Sequence, residues 1–275
     1  MSRSIKFAKY QGLGNDFIIL ENLTGKLKLT EKNITKLCDR HYGIGCDQLL
    51  IAGKSEKADY KMSLFNRDGS TAEMCGNGIR CLARYLYLHR ITRKKNLNIE
   101  TDAGIMTTKI IDSMVQVDMG EPVLDGPQVP INRKGRVINS PLQTKAGTFK
   151  ISAVSMGNPH TVIFVKNVKM IPLEKFGHAV ENHPVFPRKT NVGFAQVITR
   201  KKISLRVWER GAGATLACGT GACAAVVAGA LNKVTERNVT VSLPGGILRI
   251  RWDEKTNRIL MTGPAEEVFT GTATL

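Results

Sequence analysis

Hydrophobic and polar positions along this chain follow two rhythms, a strand-like period of two and a helix-like period near 3.6. The order in which they appear occurs twice. Lys6 to Tyr10 alternates as a strand, and Phe17 to Leu20 is a short apolar run. Gln11-Gly12-Leu13-Gly14-Asn15-Asp16 between them reads as a loop. Thr30 is a helix N-cap type, and Ile34, Leu37, Cys38 and His41 follow at the i, i+3, i+4, i+7 spacing of one helical face. Gly43 to Gln48 predicts a turn into the apolar strand Leu49 to Ala52. Tyr60, Met62 and Leu64 alternate toward Phe65-Asn66-Arg67-Asp68-Gly69. Met74-Cys75-Gly76-Asn77-Gly78 then opens a helix whose apolar residues are Ile79, Cys81, Leu82, Tyr85 and Leu86. Three strands are predicted after it, Leu97 to Thr101, Ile105 to Ile111 and Met114 to Met119.

From Gly120 to Lys150 prolines and glycines sit among polar residues, which marks a crossing between domains. The series then restarts. Met156-Gly157-Asn158-Pro159-His160 precedes the buried strand Thr161 to Val165, and a helical segment spans Leu173 to Val180. Asn191 lies in a loop, and the strand Ile203 to Val207 enters Trp208-Glu209-Arg210-Gly211. Ala217-Cys218-Gly219-Thr220-Gly221 opens a second helix carrying Ala222, Ala225, Val226 and Leu231. Asn15 and Asn158, Gln48 and Asn191, Asn66 and Glu209, and Cys75 and Cys218 are each 143 positions apart. Four polar or reactive positions at one offset argue for duplication of a whole domain, since the period is far longer than any solenoid repeat. The expected fold is α+β: two similar pseudo-symmetric domains, each a bent, mostly antiparallel sheet wrapped on its cysteine helix. Residues 1–119 and 120–264 are the expected halves, with residues 265–275 a strand that returns to the first.

Composition narrows the class. Of 275 residues, 42% are hydrophobic, which is globular rather than disordered. The longest apolar run, Ala222 to Leu231, is too short for a bilayer, and Met1 to Gly12 has no apolar core of signal-peptide length. A cytoplasmic protein with no membrane partner is expected. The six cysteines form no C-x-x-C pair, so no zinc knuckle is implied, and without secretory signals their even count does not imply disulfides; Cys38, Cys46, Cys81 and Cys223 read as small buried residues. The net charge of +17 raises nucleic-acid binding. Its compact clusters, Arg90 to Lys95 and Thr199 to Lys202, lack interleaved aromatic residues for base stacking, and a solvated basic surface accounts for them.

The chemistry lies in the two cysteine stretches. A thiol at a helix start faces unpaired N–H groups and the positive end of the helix dipole, which lower its pKa toward neutrality. Adjacent glycines let a ligand approach the amides. A pseudo-two-fold would set Cys75 and Cys218 on opposite sides of one carbon, where one thiolate removes a proton and the opposing thiol returns one to the other face. Such a site needs one thiol and one thiolate, titrating as a pair. The backbone amides of Gly76, Asn77, Gly219 and Thr220 are placed to stabilise the charge that develops on an amino-acid carboxylate. No lysine lies in a motif suggesting a pyridoxal Schiff base; no cofactor and no metal are expected. Arg67, Asp68 and Arg80 stay open between loop pairing and support of the site.

Gly14-Asn15-Asp16-Phe17, Phe65 to Gly69, Met74 to Arg80, Gly157 to His160, Trp208 to Gly211 and Ala217 to Gly221 together resemble the diaminopimelate epimerase family over most of the chain. The resemblance implies conversion of LL-2,6-diaminopimelate to the meso isomer by paired cysteines without pyridoxal phosphate, in lysine and peptidoglycan precursor synthesis. It also implies a two-domain fold that closes on substrate, and a homodimer. Residue by residue, the acid and base fall on Cys75 and Cys218, and the thiol-tuning residues on His160 and Glu209. Substrate contacts fall on Asn15, Gln48, Asn66, Asn158, Asn191, Glu209 and Arg210, with backbone contacts at Gly76, Asn77, Gly219 and Thr220. Two other readings stay open: a proline racemase on the same fold, and a nucleic-acid-binding protein.

Overall fold

A computed structural model describes residues 4–275; the first three positions of the expected N-terminal half lie outside the described residues. The chain forms two units, Met1–Asp118 with Thr262–Leu275, and Met119–Met261. The first contains β1 (Ser4–Gly12), β2 (Asn15–Asn22), α1 (Glu31–Cys38), β3 (Gln48–Gly53), β4 (Tyr60–Asn66), β5 (Thr71–Ala72), α2 (Gly76–Leu88), β6 (Asn96–Thr101), β7 (Gly104–Ile111) and β8 (Met114–Asp118). Then follow β9 (Ser140–Thr144), β10 (Gly147–Ser155), β11 (Pro159–Phe164), α3 (Leu173–Glu181), β12 (Asn191–Thr199), β13 (Lys202–Glu209), β14 (Gly213–Thr215), α4 (Gly219–Leu231), β15 (Asn238–Leu243), β16 (Gly246–Trp252) and β17 (Ile259–Pro264). The final strand, β18 (Glu266–Thr274), pairs antiparallel with β1.

The repeat extends to hydrogen-bond register. In the first unit β2 runs parallel to β3, with Phe17 opposite Gln48. In the second, β11 runs parallel to β12, with His160 opposite Asn191. Leu49 faces Phe65 as Val192 faces Trp208, and Leu64 faces Ala72 as Val207 faces Thr215. Every one of these residues keeps the 143-position offset. Register departs from that offset in the hairpin before the repeat's first loop (Tyr10 with Phe17, Val154 with His160) and from the parallel pair after the cysteine helix onward (Tyr60 with Ile99, Ile203 with Val241). Strands that flank the cysteines are therefore in register, and the differences fall outside them.

Each sheet wraps its central helix. The α2 helix packs on β1, β2, β3, β7, β8 and β18, burying Ile79, Cys81, Leu82 and Leu86 completely. The α4 helix packs on β10, β11, β12, β13, β15 and β16. It is built almost wholly of small apolar residues, and Ala222 through Ala228 have no exposure at all. A helix apolar on every side belongs inside a core. A second core lies on the other side of each sheet: Ile34, Leu37 and Cys38 of α1 against Ile18, Leu20 and Leu49, and Leu173 and Val180 of α3 against Ile163 and Phe194.

The first helix is shorter than its apolar spacing predicts. Thr30 caps it in a capping box with Asn33, but α1 stops at Cys38 and His41 is exposed rather than on the inner face. The Asp39 carboxylate accepts the backbone N–H groups of His41 and Tyr42, each at 2.7 Å. A side chain that bonds the amides just after it offers the backbone a turn in place of another helical turn. Among the described residues no helix is long and apolar enough to cross a membrane.

Candidate active site

Both cysteines are N-caps in extended conformation, Cys75 with φ −138° and Cys218 with φ −129°. An extended cap points its side chain back over the first helical turn, where the free N–H groups are. The Cys75 sulfur accepts from the Gly78 N–H at 3.4 Å. Glycine at that third helical position is a packing requirement. A Cβ on Gly78 would stand 3.2 Å from the Phe17 ring, and one on Gly221 would stand 3.2 Å from the Cys218 sulfur itself.

Around Cys75 the neighbours are amides. The thiol lies 3.6 Å from Asn15 Oδ1, which also accepts from Asn77 Nδ2 at 3.3 Å. Asn15 Nδ2 donates to Asp47 Oδ2 at 3.0 Å. Gln48 Nε2 donates to Asn66 Oδ1 at 3.0 Å, and Asn66 Nδ2 donates to Ser70 Oγ at 3.0 Å. The structure thus brings Asn15, Asn77 and Cys75 together, with Gln48 and Asn66 paired on the adjacent strand ends.

An ion cluster supports this loop from behind. Asp16 receives the Arg40 guanidinium at 2.7 and 3.1 Å and the Lys9 ammonium at 2.6 Å, and Arg40 also binds Asp47 at 2.9 Å. Lys9 also donates to the Gly45 carbonyl. Burial works against a charged Asp16, yet the Arg40 fork and Lys9 outweigh it and hold the carboxyl well below the usual carboxylate range. Asp16→Asn is expected to cost about 3 kcal/mol, because it leaves the nearly buried Lys9 ammonium without its anion; urea unfolding measures this. The pH signature has a definite sign. The folded pKa lies below the unfolded value of about 3.9, so the Asp16 contribution is complete above about pH 4 and is lost as pH falls through the folded value. Asp16→Asn should flatten that part of the acid limb.

Around Cys218 the neighbours are a hydroxyl and a carboxylate. Its sulfur is 3.6 Å from Thr220 Oγ1 and it lies beside Glu209. Glu209 Oε1 accepts from Thr215 Oγ1 at 2.6 Å. Burial first, and the Glu209 carboxylate second, push the Cys218 thiol well above its ordinary value. This corrects the expectation that each helix start lowers its thiol's pKa: at Cys218 the desolvation of a fully enclosed sulfur outweighs the amides. His160, 1% exposed, is bonded through Nε2 to Asn158 Oδ1 at 2.9 Å. Burial, helped by the nearby Arg210 charge, lowers its pKa to about 3, so the ring is neutral at physiological pH. Its Nε2 therefore carries the hydrogen and donates to the amide.

Asn191 has both ends of its amide engaged: Nδ2 donates to the Pro159 carbonyl at 2.8 Å, and Oδ1 accepts the Arg210 N–H at 2.9 Å. It fixes the turn that presents Arg210, whose exposed guanidinium spends one donor on the Arg188 carbonyl at 3.0 Å. Buried Glu181 braces the same turn, accepting from Trp208 Nε1 at 2.7 Å and the Gly211 N–H at 3.1 Å. Asp47, Glu181 and Thr215 are supports that the sequence did not single out. Their counterparts across the repeat are of different types, so the common offset passed over them. Among the described residues no three His, Cys, Asp or Glu side chains group to hold a metal ion.

The sequence model of the diaminopimelate epimerase family matches residues 7–124 and 152–268, taking in both cysteine helices and all the side chains above. The chain belongs to the diaminopimelate epimerase family. Members of this family are isomerases, and curated relatives match nearly end to end. "Diaminopimelate epimerase 1" of Nostoc sp. (strain PCC 7120) is 49% identical, covering 98% of this chain and 99% of the relative. The diaminopimelate epimerase of Pelotomaculum thermopropionicum is also 49% identical, covering 96% and 97%. The fold is shared more widely than the sequence. A hydroxyproline epimerase from Agrobacterium vitis aligns with TM-score 0.69 at 13% identity, covering 99% of this chain and 93% of that one. A PhzF-family protein of Bacillus anthracis aligns with TM-score 0.71 at 17% identity, covering 99% and 100%. Within the diaminopimelate epimerase frame, the two cysteines occupy equivalent positions in unequal surroundings, amides at Cys75 and a carboxylate with a neutral imidazole in the Cys218 half.

Proposed function

We propose that this protein interconverts LL-2,6-diaminopimelate and meso-2,6-diaminopimelate, with Cys75 and Cys218 as the paired base and acid. One observation carries the reading: two cysteines cap the first turn of the same helix in two units whose flanking strands keep a common register. Family membership supports the substrate.

In this scheme a thiolate takes the α-proton from one face while the opposing thiol delivers one to the other. The surroundings suit an unequal start. Cys218, enclosed and next to Glu209, starts as the protonated partner, and the scheme then requires Cys75 to give up the hydrogen it directs at Asn15 Oδ1 before it acts as the base. Roles exchange when the substrate is the other isomer. Negative charge grows on the adjacent carboxylate as the proton leaves, and the N–H groups of Gly76, Asn77, Gly219 and Thr220 are the donors for it. Arg210 offers a planar fork for the carboxylate at the far end of the substrate, and Asn15, Asn66, Asn158 and Glu209 offer amide and carboxylate partners for its ammonium group. The side chains supply acid, base and anion stabilisation, so the scheme needs no pyridoxal phosphate. The same reading places the enzyme in the cytoplasm as a homodimer serving lysine and peptidoglycan precursor synthesis.

Incubation with LL-diaminopimelate in deuterated water tests it. Expected is inversion at one α-carbon with one solvent deuteron incorporated there, and no exchange on proline. Exchange on proline and none on diaminopimelate would replace this reading with that of a proline racemase.

A further inference from the structure

Arg80 is the largest side chain with no exposed surface among the described residues. Arginine is rarely buried so fully, since each of its donors then needs an acceptor in place of water. Arg80 stands on the second turn of α2, and its guanidinium reaches back toward the helix start, as long helical side chains do. Nη1 donates to the Gly76 carbonyl at 3.2 Å, Nη2 to Asn77 Oδ1 at 2.9 Å, and Nε to the Pro264 carbonyl at 3.2 Å. The space it fills is kept open by Gly12, where a Cβ would stand 3.3 Å from Nη2.

Two of these bonds converge on one peptide unit. The Gly76 carbonyl belongs to the same planar amide as the Asn77 N–H, and the Asn77 side chain hangs from that amide's far end. A charged donor on the carbonyl polarises the peptide and strengthens its N–H as a donor. Holding Asn77 Oδ1 also turns Asn77 Nδ2 toward Asn15, whose own Nδ2 is tied to Asp47. A guanidinium at one end and a carboxylate at the other thus set the direction of two successive amides, and that direction leaves Asn15 Oδ1 facing Cys75. The second unit has none of this: at the same offset Arg80 becomes Cys223, Asn77 becomes Thr220 and Asp47 becomes Thr190.

We propose that Arg80 is a positioning residue of the Cys75 site, locking the Gly76–Asn77 peptide and the Asn77 amide so that the Asn77 N–H meets the charge growing on the substrate carboxylate. The assignment rests on the epimerase reading above and adds a residue that acts through others, without touching substrate.

Steady-state kinetics of Arg80→Gln, Arg80→Lys and Gly12→Ala in the full-length enzyme, with LL-diaminopimelate, test it, with Cys75→Ala alongside. Because the strengthened donor matters most in the transition state, Arg80→Gln should lower kcat about 10²-fold with KM within about threefold. Arg80→Lys, with one ammonium in place of a planar fork, should restore only part of the loss. Gly12→Ala deletes no hydrogen-bonding group; its Cβ would stand 3.3 Å from Nη2, closer than to Asn77 Cβ and Cys81 Sγ at 3.5 Å, so it is the guanidinium that must shift. A kcat loss of about tenfold is expected, and it decides the matter should Arg80→Gln fail to fold. Wild-type kcat in the folded variants, or a raised KM at constant kcat, overturns the proposal while an inactive Cys75→Ala leaves the epimerase reading standing. An active Cys75→Ala overturns both.

Discussion

Cys75→Ala and Cys218→Ala are each expected to lose epimerisation by about 10³–10⁴-fold, the upper part of the range that a positioned general acid or base contributes. The two losses should differ in kind. Removing the acid leaves the base able to take the α-proton from its own face, and that proton can exchange with solvent and return to the same face. Removing the base abolishes both exchange and inversion. Each alanine variant should therefore wash deuterium into one of the two isomers without inverting it, and the active isomer should differ between the variants. Proton NMR of LL- and meso-diaminopimelate in deuterated water reads both effects. Wild-type inversion by either variant would remove the two-base scheme, and washout by both variants from the same isomer would remove the assignment of opposite faces.

Glu209→Gln has the next largest effect, a drop of about 10²-fold in kcat, from the lower end of the range for acid–base groups. The change keeps shape and the Thr215 contact while deleting a negative charge next to the enclosed Cys218 sulfur. Burial first and the carboxylate second keep that thiol protonated, so loss of the carboxylate lowers the Cys218 pKa while burial still keeps it raised. Iodoacetamide should then modify Cys218 faster at pH 8 than in the wild type. The rate falls because the productive state needs one thiol and one thiolate titrating as a pair, and deleting the charge changes how the two share the proton. Unchanged alkylation together with an unchanged rate would show that Glu209 does not govern Cys218.

The sequence carried the repeat because register is a discrete property. A strand slipped by one residue turns its buried face outward, so strands that share a job keep their spacing. Gln48 and Asn191, and Asn66 and Glu209, are legible for that reason. The end of α1 was not legible, because the apolar spacing through His41 competes with the Asp39 side chain, and the shorter-range hydrogen bonds win. The state of Cys218 was hidden for a different reason. A helix start is visible in a local motif, whereas the desolvation of a sulfur depends on what packs over it from elsewhere in the unit. Arg80 was ambiguous on the same ground: its acceptors at Gly76 and Asn77 are close in sequence, but its burial depends on Gly12 and on Pro264, far away in the chain.

The pairing of β18 with β1 has a consequence for how the protein is made. The second unit is one unbroken stretch of chain, whereas the first joins two segments. β1 lacks its neighbour and Arg80 lacks the Pro264 carbonyl until residues 262–274 have been synthesised. A nascent chain that stops short of that strand therefore leaves the Cys75 niche unfinished.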